Sequence, residues 1–490
     1  MASHQNITPD ERLTAQHARG KLSARERISL LLDGNTFHEI SCSNEVTDSV
    51  ITGYGEIDGR QVYIYAQDFT VLGGTISLAE GQKVAKVMEQ ALEHKVPIIG
   101  IHDSGGARIQ DGVTALAGVG EILLLNTQCS GIIPQIAIVV GPCAGGAAYS
   151  PALCDFVFTV KGISQLYVTG PDVVKHATNE CVSHQELGGA EVHNTTSGVS
   201  HFIFENEAEC FKQVKRLLSF LPPNSSTMAP VISTDDPPER IDDSLSDMVP
   251  TDQRKPYDML GIIERIVDNG NFLELQSQYA ANIICGLARL DGRTVGIVAQ
   301  QPLVLAGTID INASVKAARF VRFCDTFNLP IISLVDVPGF IPGSQHEHDG
   351  IIRHGAKLVY AYAKATVPKI SLITRKAYGG AYIAMSSKHL GGNINYAWPK
   401  AKISIMGAEA AVSIIFRKEI ARSLSPAQTC HDLAEKYRME HDNTQQATNL
   451  GYIDQIIEPR YTRPMLIQAL TKLCAQQKNT LSPKHGNIPL

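Results

Sequence analysis

Two glycine-rich stretches could do chemistry without a reactive side chain: Gly141-Pro-Cys-Ala-Gly-Gly-Ala-Ala148 and Lys376-Ala-Tyr-Gly-Gly-Ala-Tyr382. Each follows an apolar run of strand type, Ile136–Val140 or Ile370–Ile373, and precedes small residues able to open a helix. Successive glycines leave two backbone N–H groups unobstructed, and a helix start adds about half a positive charge behind them. Such a pair suits an oxygen gaining negative charge, an oxyanion hole. A Gly-Gly pair reads equally as a tight turn where strand and helix pack closely, and the residues alone leave both readings open.

Other side chains offer less. A GxSxG elbow, a P-loop and HExxH are absent, and GxGxxG does not occur in a Rossmann context. His346, His348 and His354 cluster with Glu347 and Asp349, but following Gly343 they read as a polar loop before a metal site. His184 and His193, flanking Leu187-Gly188-Gly189, read the same way, and Trp398 reads as a packing anchor. The ten cysteines (Cys42, Cys129, Cys143, Cys154, Cys181, Cys210, Cys285, Cys324, Cys430, Cys474) form no C-x-x-C pair. That excludes a zinc ribbon by spacing and points to a reducing compartment. No Asp or Glu follows GPCAGG within a turn, as a hydratase or hydrolase would need. An enzyme handling an enolate or another oxyanion fits, with its substrate unnamed by the residues.

The elements that must position these junctions come from an internal repeat. Residues 58–76, DGRQVYIYAQDFTVLGGTI, align without gaps on 291–309, DGRTVGIVAQQPLVLAGTI, with twelve of nineteen positions identical. The same offset of 233 carries Pro97-Ile98-Ile99 onto Pro330-Ile331-Ile332 and Asp103 onto Asp336. A duplicated domain keeps one offset over such a distance. Between the copies, Leu221 to Asp247 is rich in Pro, Ser and Asp, the composition of an extended linker. Within each copy, short runs at Val62–Ala66 and Val295–Ala299 read as strands. Ser77-x-x-Glu80 is a capping box, with Val84, Val87, Met88, Ala91 and Leu92 behind it at helical spacing. Val96–Ile101 and Leu329–Val335 read as strands buried on both faces. Alternating strands and helices give an α/β class, and the tail from Ser423, with Lys436, Tyr437, Arg438 and Asp442, reads as a charged helical surface.

Composition narrows the class. The 490 residues, 44% hydrophobic and 19% charged, suit several domains with a large buried fraction. A net charge of -6 argues against nucleic acid as a partner. The stretch between Glu121 and Asp155 carries no charge, but Pro134, Pro142, Pro151 and Gly145-Gly146 argue against a lipid-exposed helix. The start MASHQNITPDERLTAQ shows neither a signal core nor an Arg-rich transit pattern.

QHARGKLSARERI (16–28), DSGGARIQDGV (103–113), GPCAGGAAYSPA (141–152), VTGPDVVKHATNE (168–180), DVPGFIPG (336–343), IIRHGAK (351–357), RKAYGGAY (375–382), NYAWP (395–399) and the final KHGNIPL resemble the β, or carboxyltransferase, subunit of propionyl-CoA carboxylase and related biotin-dependent acyl-CoA carboxylases. The resemblance implies two tandem crotonase-type (ClpP/crotonase-like) ββα-spiral domains: residues 1–230 on the acyl-CoA side and 231–490 on the carboxybiotin side. It implies transfer of a carboxyl group from carboxybiotin to the α-carbon of a short-chain acyl-CoA, propionyl-CoA or acetyl- or butyryl-CoA, through an enolate. Biotin would arrive on a partner, a biotin carboxylase or biotin carboxyl carrier subunit, since this sequence has no biotinyl-lysine or ATP-grasp segment. The cofactor would supply the missing base. A homohexamer is implied, its active sites between the N-domain of one subunit and the C-domain of another. By residue match, the N–H groups of Gly145 and Gly146 hold the thioester oxygen, with Ala144, Gly105, Gly106 and Arg108 completing the acyl-CoA site. Those of Gly380 and Ala381 hold the biotin ureido oxygen, with Gly379 and Tyr382 beside them. Ile383 stands where propionyl-CoA carboxylases carry Asp, which loosens the expected acyl preference; His102 replaces Asn and Lys402 replaces Glu. No metal, nucleic acid or membrane is expected, and the compartment is the cytoplasm, or the mitochondrial matrix after removal of a transit peptide. The related alternative is the α subunit of a sodium-pumping methylmalonyl-CoA decarboxylase, working in the opposite direction.

Overall fold

The computed structural model describes residues 8–40, 48–441, 444–476 and 484–489; Cys42, Asp442 and the ends of the terminal motifs lie outside them. The chain forms two compact units, Met1–Met228 with Leu481–Pro489, and Ala229–Thr480.

The first unit is built on strands β1 (His38–Glu39), β2 (Val50–Ile57), β3 (Arg60–Gln67), β4 (Ile98–Ser104), β5 (Gln135–Ala144), β6 (Phe156–Val160), β7 (Gln165–Tyr167) and β8 (Phe202–Phe204). They lie in the order β1-β2-β3-β4-β5-β6-β8, with β7 paired to the end of β5. Strands β1 to β3 are antiparallel and the others parallel. The second unit repeats this with β9 (Phe272–Leu275), β10 (Ile283–Leu290), β11 (Arg293–Gln300), β12 (Ile331–Val337), β13 (Lys369–Tyr378), β14 (Ile394–Ala397), β15 (Lys402–Ser404) and β16 (Gln455–Ile456). Its order is β16-β14-β13-β12-β11-β10-β9, with β15 on β13. Strands β4, β12 and β13 are buried along their whole length, which is why they read as nearly unbroken apolar runs.

Helices α1 (Pro9–Ala18) and α2 (Ala24–Leu31) precede the first sheet, and α3 (Leu78–His94) and α4 (Val113–Cys129) pack together within it. The capping box forms at α3: the Glu80 carboxylate accepts from the Ser77 N–H at 2.9 Å. Asp310, at offset 233 from Ser77, caps the helix Ile311–Thr326. Lys83 and Lys316 share that offset and are both buried; Lys83 Nζ donates to the Val50 carbonyl at 2.6 Å, and Lys316 Nζ to those of Tyr279 and Ile283 at 2.8 Å.

Three expectations change. Strands β5 and β13 do not end at Val140 and Ile373 but run on to Ala144 and Tyr378. The extra residues are paired, Pro142 to Ala144 with Gln165 to Tyr167 and Lys376 to Tyr378 with Lys402 to Ser404. The run with His346 and His348 is a short helix, Ser344–Asp349, instead of a loop. The C-terminal segment belongs to the first unit: Asn487 is buried, its N–H donating to Ser130 Oγ and its Nδ2 to Asp155 Oδ1, both at 2.9 Å.

Trp398 is buried, with its indole N–H on Thr462 Oγ1 at 3.0 Å. The charge-free stretch resolves into the end of α4, then β5 and α5 (Tyr149–Leu153), and among the described residues no helix is long and apolar enough to cross a membrane.

Candidate active site

The first junction leaves β5 at Ala144 and enters a 3-10 turn, Gly145–Ala148, then α5. The second leaves β13 at Tyr378 and enters the helix Gly379–Ala384. Gly145 and Gly379 adopt left-handed backbone, with φ of 63° and 58°, a conformation that costs other residues about 1–2 kcal/mol. That kink turns the chain out of the sheet so that the next N–H groups start a helix. N–H groups in a first helical turn have no intrahelical acceptor, and neither Ala144 nor Tyr378 caps them with its side chain. Gly145 and Gly146 are half-buried and Gly380 is exposed, with no atom of the described residues within 4 Å of a Cβ built on it. The helices are short, so the donors themselves dominate over any macrodipole. The strand register places Gly145 with Gly379 and Gly146 with Gly380. The pair Gly380–Ala381 is therefore one residue out of step with Gly145–Gly146, and Gly146 and Gly380 are the donors the two units share.

Around the first junction, Gly106 packs on the end of β5: a Cβ there would lie 2.6 Å from the Ala144 carbonyl oxygen. The N–H of Gly105 donates to the Gly73 carbonyl at 2.9 Å and that of Gly106 to Ser104 Oγ at 3.1 Å. Both donors are thus used internally, and these glycines shape the wall. Arg108 is committed to the Glu80 carboxylate and to Thr75, whose hydroxyl it meets at 3.2 Å. Burial pushes the Cys143 thiol up to about 12, so it stays protonated beside the glycines. Around the second junction, Ala381 and Tyr382 are buried and Ile383 is exposed. Among the described residues the Tyr382 hydroxyl has no hydrogen-bond partner, and burial, reinforced by Tyr452, pushes it up to about 12.

Behind each junction sits a carboxylate that sequence reasoning noted only as a repeated position. The Asp103 N–H donates to Gln67 Oε1 and the Asp336 N–H to Gln300 Oε1, each at 3.2 Å and each pair at offset 233. Both aspartates are fully buried. Asp103 is neutralised by Lys21 at 2.7 Å and Arg27 at 2.8 Å, Arg27 also meeting Glu207 at 2.7 Å. Asp336 is neutralised by Arg375 at 2.9 Å, from the adjacent strand. In the strand register Arg375 answers to Gly141, where a Cβ would lie 1.9 Å from Asp103 Oδ1. One unit thus brings its cations in on the segment around α1 and α2 and keeps β5 bare; the other carries the cation on β13. Of the cationic residues in QHARGKLSARERI, Lys21 and Arg27 are the two that neutralise Asp103.

Two of the histidines make local hydrogen bonds. His193 Nε2 meets the Leu166 carbonyl at 2.7 Å and His184 Nδ1 the Tyr167 hydroxyl at 2.9 Å.

Residues 15–488 match the family described as the carboxyl transferase domain. The chain is 50% identical to the propionyl-CoA carboxylase carboxyltransferase subunit of Haloferax mediterranei, over 98% of this chain and 96% of that one. It is also 50% identical, with the same coverages, to the methylmalonyl-CoA decarboxylase subunit alpha of Veillonella parvula. Identity to the human mitochondrial propionyl-CoA carboxylase beta chain is 51%, over 98% of this chain and 90% of that one. Among solved structures, the transcarboxylase 12S hexamer with methylmalonyl-coenzyme A and methylmalonic acid bound superposes with a TM-score of 0.93 at 45% identity, covering 98% of this chain and 94% of that one. A pair of glycine junctions on duplicated sheets, matched over nearly the whole length by these relatives, makes the chain a member of the carboxyl transferase domain family.

Proposed function

We propose that this chain is the carboxyltransferase component of a biotin-dependent acyl-CoA carboxylase, carrying a carboxyl group to the α-carbon of propionyl-CoA or a similar short acyl-CoA. The observation that carries this reading is the recurrence of an uncapped glycine junction in each unit, with no Asp, Glu, His, Lys or Arg in Ala144–Ala148 or Tyr378–Ala384. Two held oxygens and no side-chain base describe a reaction whose proton transfer belongs to a bound group.

The residues of the second unit fit biotin. Its neutral ureido oxygen needs donors without a counter-charge, which Gly380 and Ala381 offer, and Gly380 has open space in front of it. The buried Tyr382 hydroxyl is a further donor, without a partner among the described residues, and Gly379 supplies the turn. Carboxybiotin, when bound, supplies the carboxyl group and the base. In the first unit, the N–H groups of Gly145 and Gly146 receive the thioester oxygen and stabilise the negative charge it gains as the α-carbon loses its proton. Ala144, Gly105 and Gly106 form the wall, and Arg108 holds the wall to α3 by its pairing with Glu80. Ile383 borders the acyl end.

The reading assigns the meeting of the two junctions to different copies of the chain in a homohexamer, and biotin to a biotin carboxylase or carrier partner. The compartment is the cytoplasm or the mitochondrial matrix. A second reading, the α subunit of a methylmalonyl-CoA decarboxylase, is favoured by the apolar Ile383 and the Veillonella relative; it uses the same donors in reverse. The test is an assay of the full chain with a biotinylated partner, labelled bicarbonate and ATP over acetyl-, propionyl- and butyryl-CoA. Label in methylmalonyl-CoA supports carboxylation. Label in no acyl-CoA, with methylmalonyl-CoA losing its carboxyl group to biotin, supports the decarboxylase.

A further inference from the structure

Each junction has a neighbour that no family motif assigned to a ligand. Strand β7 pairs with β5 so that Tyr167 faces Ala144, and β15 pairs with β13 so that Ser404 faces Tyr378. The next residue on the long strand is the left-handed glycine, and the next on the short strand is Val168 or Ile405. A Cβ built on Gly145 would lie 3.9 Å from the Val168 carbonyl oxygen, and one on Gly379 3.0 Å from that of Ile405. Val168 is 63% exposed and Ile405 75% exposed. Both lead through one residue into a glycine N-cap, Gly170 of α6 (Pro171–Thr178) or Gly407 of the helix Ala408–Ile415.

A single exposed apolar side chain is ordinary. Here a β-branched apolar residue recurs at the equivalent place in two units whose local sequences, QLYVTG and KISIMG, are otherwise identical at the final glycine alone. Neighbouring strands lie about 4.8 Å apart, so each residue stands within a side chain's reach of whatever its junction holds. Resting on the function proposed above, we propose that Val168 and Ile405 are the apolar lips of the two holes. Val168 packs on the acyl group whose thioester oxygen the first junction holds, and Ile405 packs on the apolar ring system of biotin at the second.

Calorimetric titration of the full chain with propionyl-CoA, and separately with free biotin, tests this without turnover. Val168→Thr keeps the branched shape and adds a hydroxyl; it is expected to weaken propionyl-CoA about tenfold while biotin stays within about twofold. Ile405→Thr is expected to do the reverse. Val168→Ala and Ile405→Ala, which remove bulk without adding polarity, should show the same split, with thermal melting confirming the fold. If either residue's variants leave both affinities unchanged, or shift both equally, the lips are not ligand contacts. If the unaltered chain binds neither ligand, the functional reading itself fails and this inference falls with it.

Discussion

Ile383 shows how much one side chain can carry. It follows the buried Tyr382 directly, yet is 41% exposed, so it faces outward from the second junction without packing into the core. A hydrophobic pocket separates neighbouring chain lengths by about 1–3 kcal/mol per methylene. Ile383→Asp should therefore move the butyryl- to propionyl-CoA ratio of kcat/KM about tenfold toward propionyl-CoA; an unmoved ratio would show that this side chain does not set selectivity. His102 makes a separate case. It lies buried on β4 beside the Tyr65 hydroxyl at 3.3 Å, and burial pushes its imidazole down to about 3. The unfolded chain takes up a proton near pH 6.5 that the folded chain refuses, so stability is whole above that pH and falls as the pH drops, by about 1.4 kcal/mol per unit. Urea unfolding at pH 7 and pH 5 should show His102→Asn losing about 2 kcal/mol less than the unaltered protein; equal losses would mean His102 is protonated in the fold. At this scale the sequence was legible where backbone chemistry is written as glycine, and illegible where long side chains choose partners. Arg108 could be placed near the first junction, but its commitment to Glu80 depends on the approach of α3. Lys21 and Arg27 gave no hint of Asp103, which lies on β4, far along the chain.

The elements were legible to the extent that their burial is uniform. A constant offset of 233 and continuous apolar runs located β3, β4, β11 and β12. The last residues of β5 and β13 escaped because Gly141, Pro142 and Lys376 look like turn or surface residues, and only pairing with β7 and β15 makes them strand. The crossing of α3 and α4 also depends on residues with no side chain. A Cβ on Gly81 would lie 2.3 Å from the Gly118 Cα, and one on Gly118 2.3 Å from the Ser77 carbonyl oxygen. The helices touch backbone to backbone, and α4 carries Val119, whose Cγ1 would lie 3.1 Å from a Cβ on Gly146. Overpacking of this kind costs about 1–3 kcal/mol. Gly118→Ala should lower urea stability by that amount and reduce acyl-CoA affinity by shifting α4 against the first junction. Full affinity at reduced stability would separate the crossing from the site.

At the scale of the whole molecule, the proposed reaction has the two similar units hold two different oxygens, and the C-terminal segment shows how far sequence order and structural membership can diverge. A linear division assigns it to the second half, but Asn487 buries its amide against Asp155, whose other oxygen accepts from the Gln135 N–H at 2.9 Å at the start of β5. Removing that partner takes one hydrogen-bond donor from a buried carboxylate, and Asn487→Ala should cost about 1–3 kcal/mol in denaturant unfolding; no loss would show the contact to be passive. The central claim is that main-chain donors in both units serve one reaction, and Gly380 offers its most direct test. Proline is tolerated in a helix's first turn but has no N–H, so Gly380→Pro deletes one donor of the second unit, whereas Gly380→Ala keeps it in open space. With a biotinylated partner, Gly380→Pro should transfer carboxyl to propionyl-CoA about 10²–10³-fold more slowly, with propionyl-CoA binding unchanged and Gly380→Ala largely active. Transfer by Gly380→Pro at the unaltered rate would contradict the account.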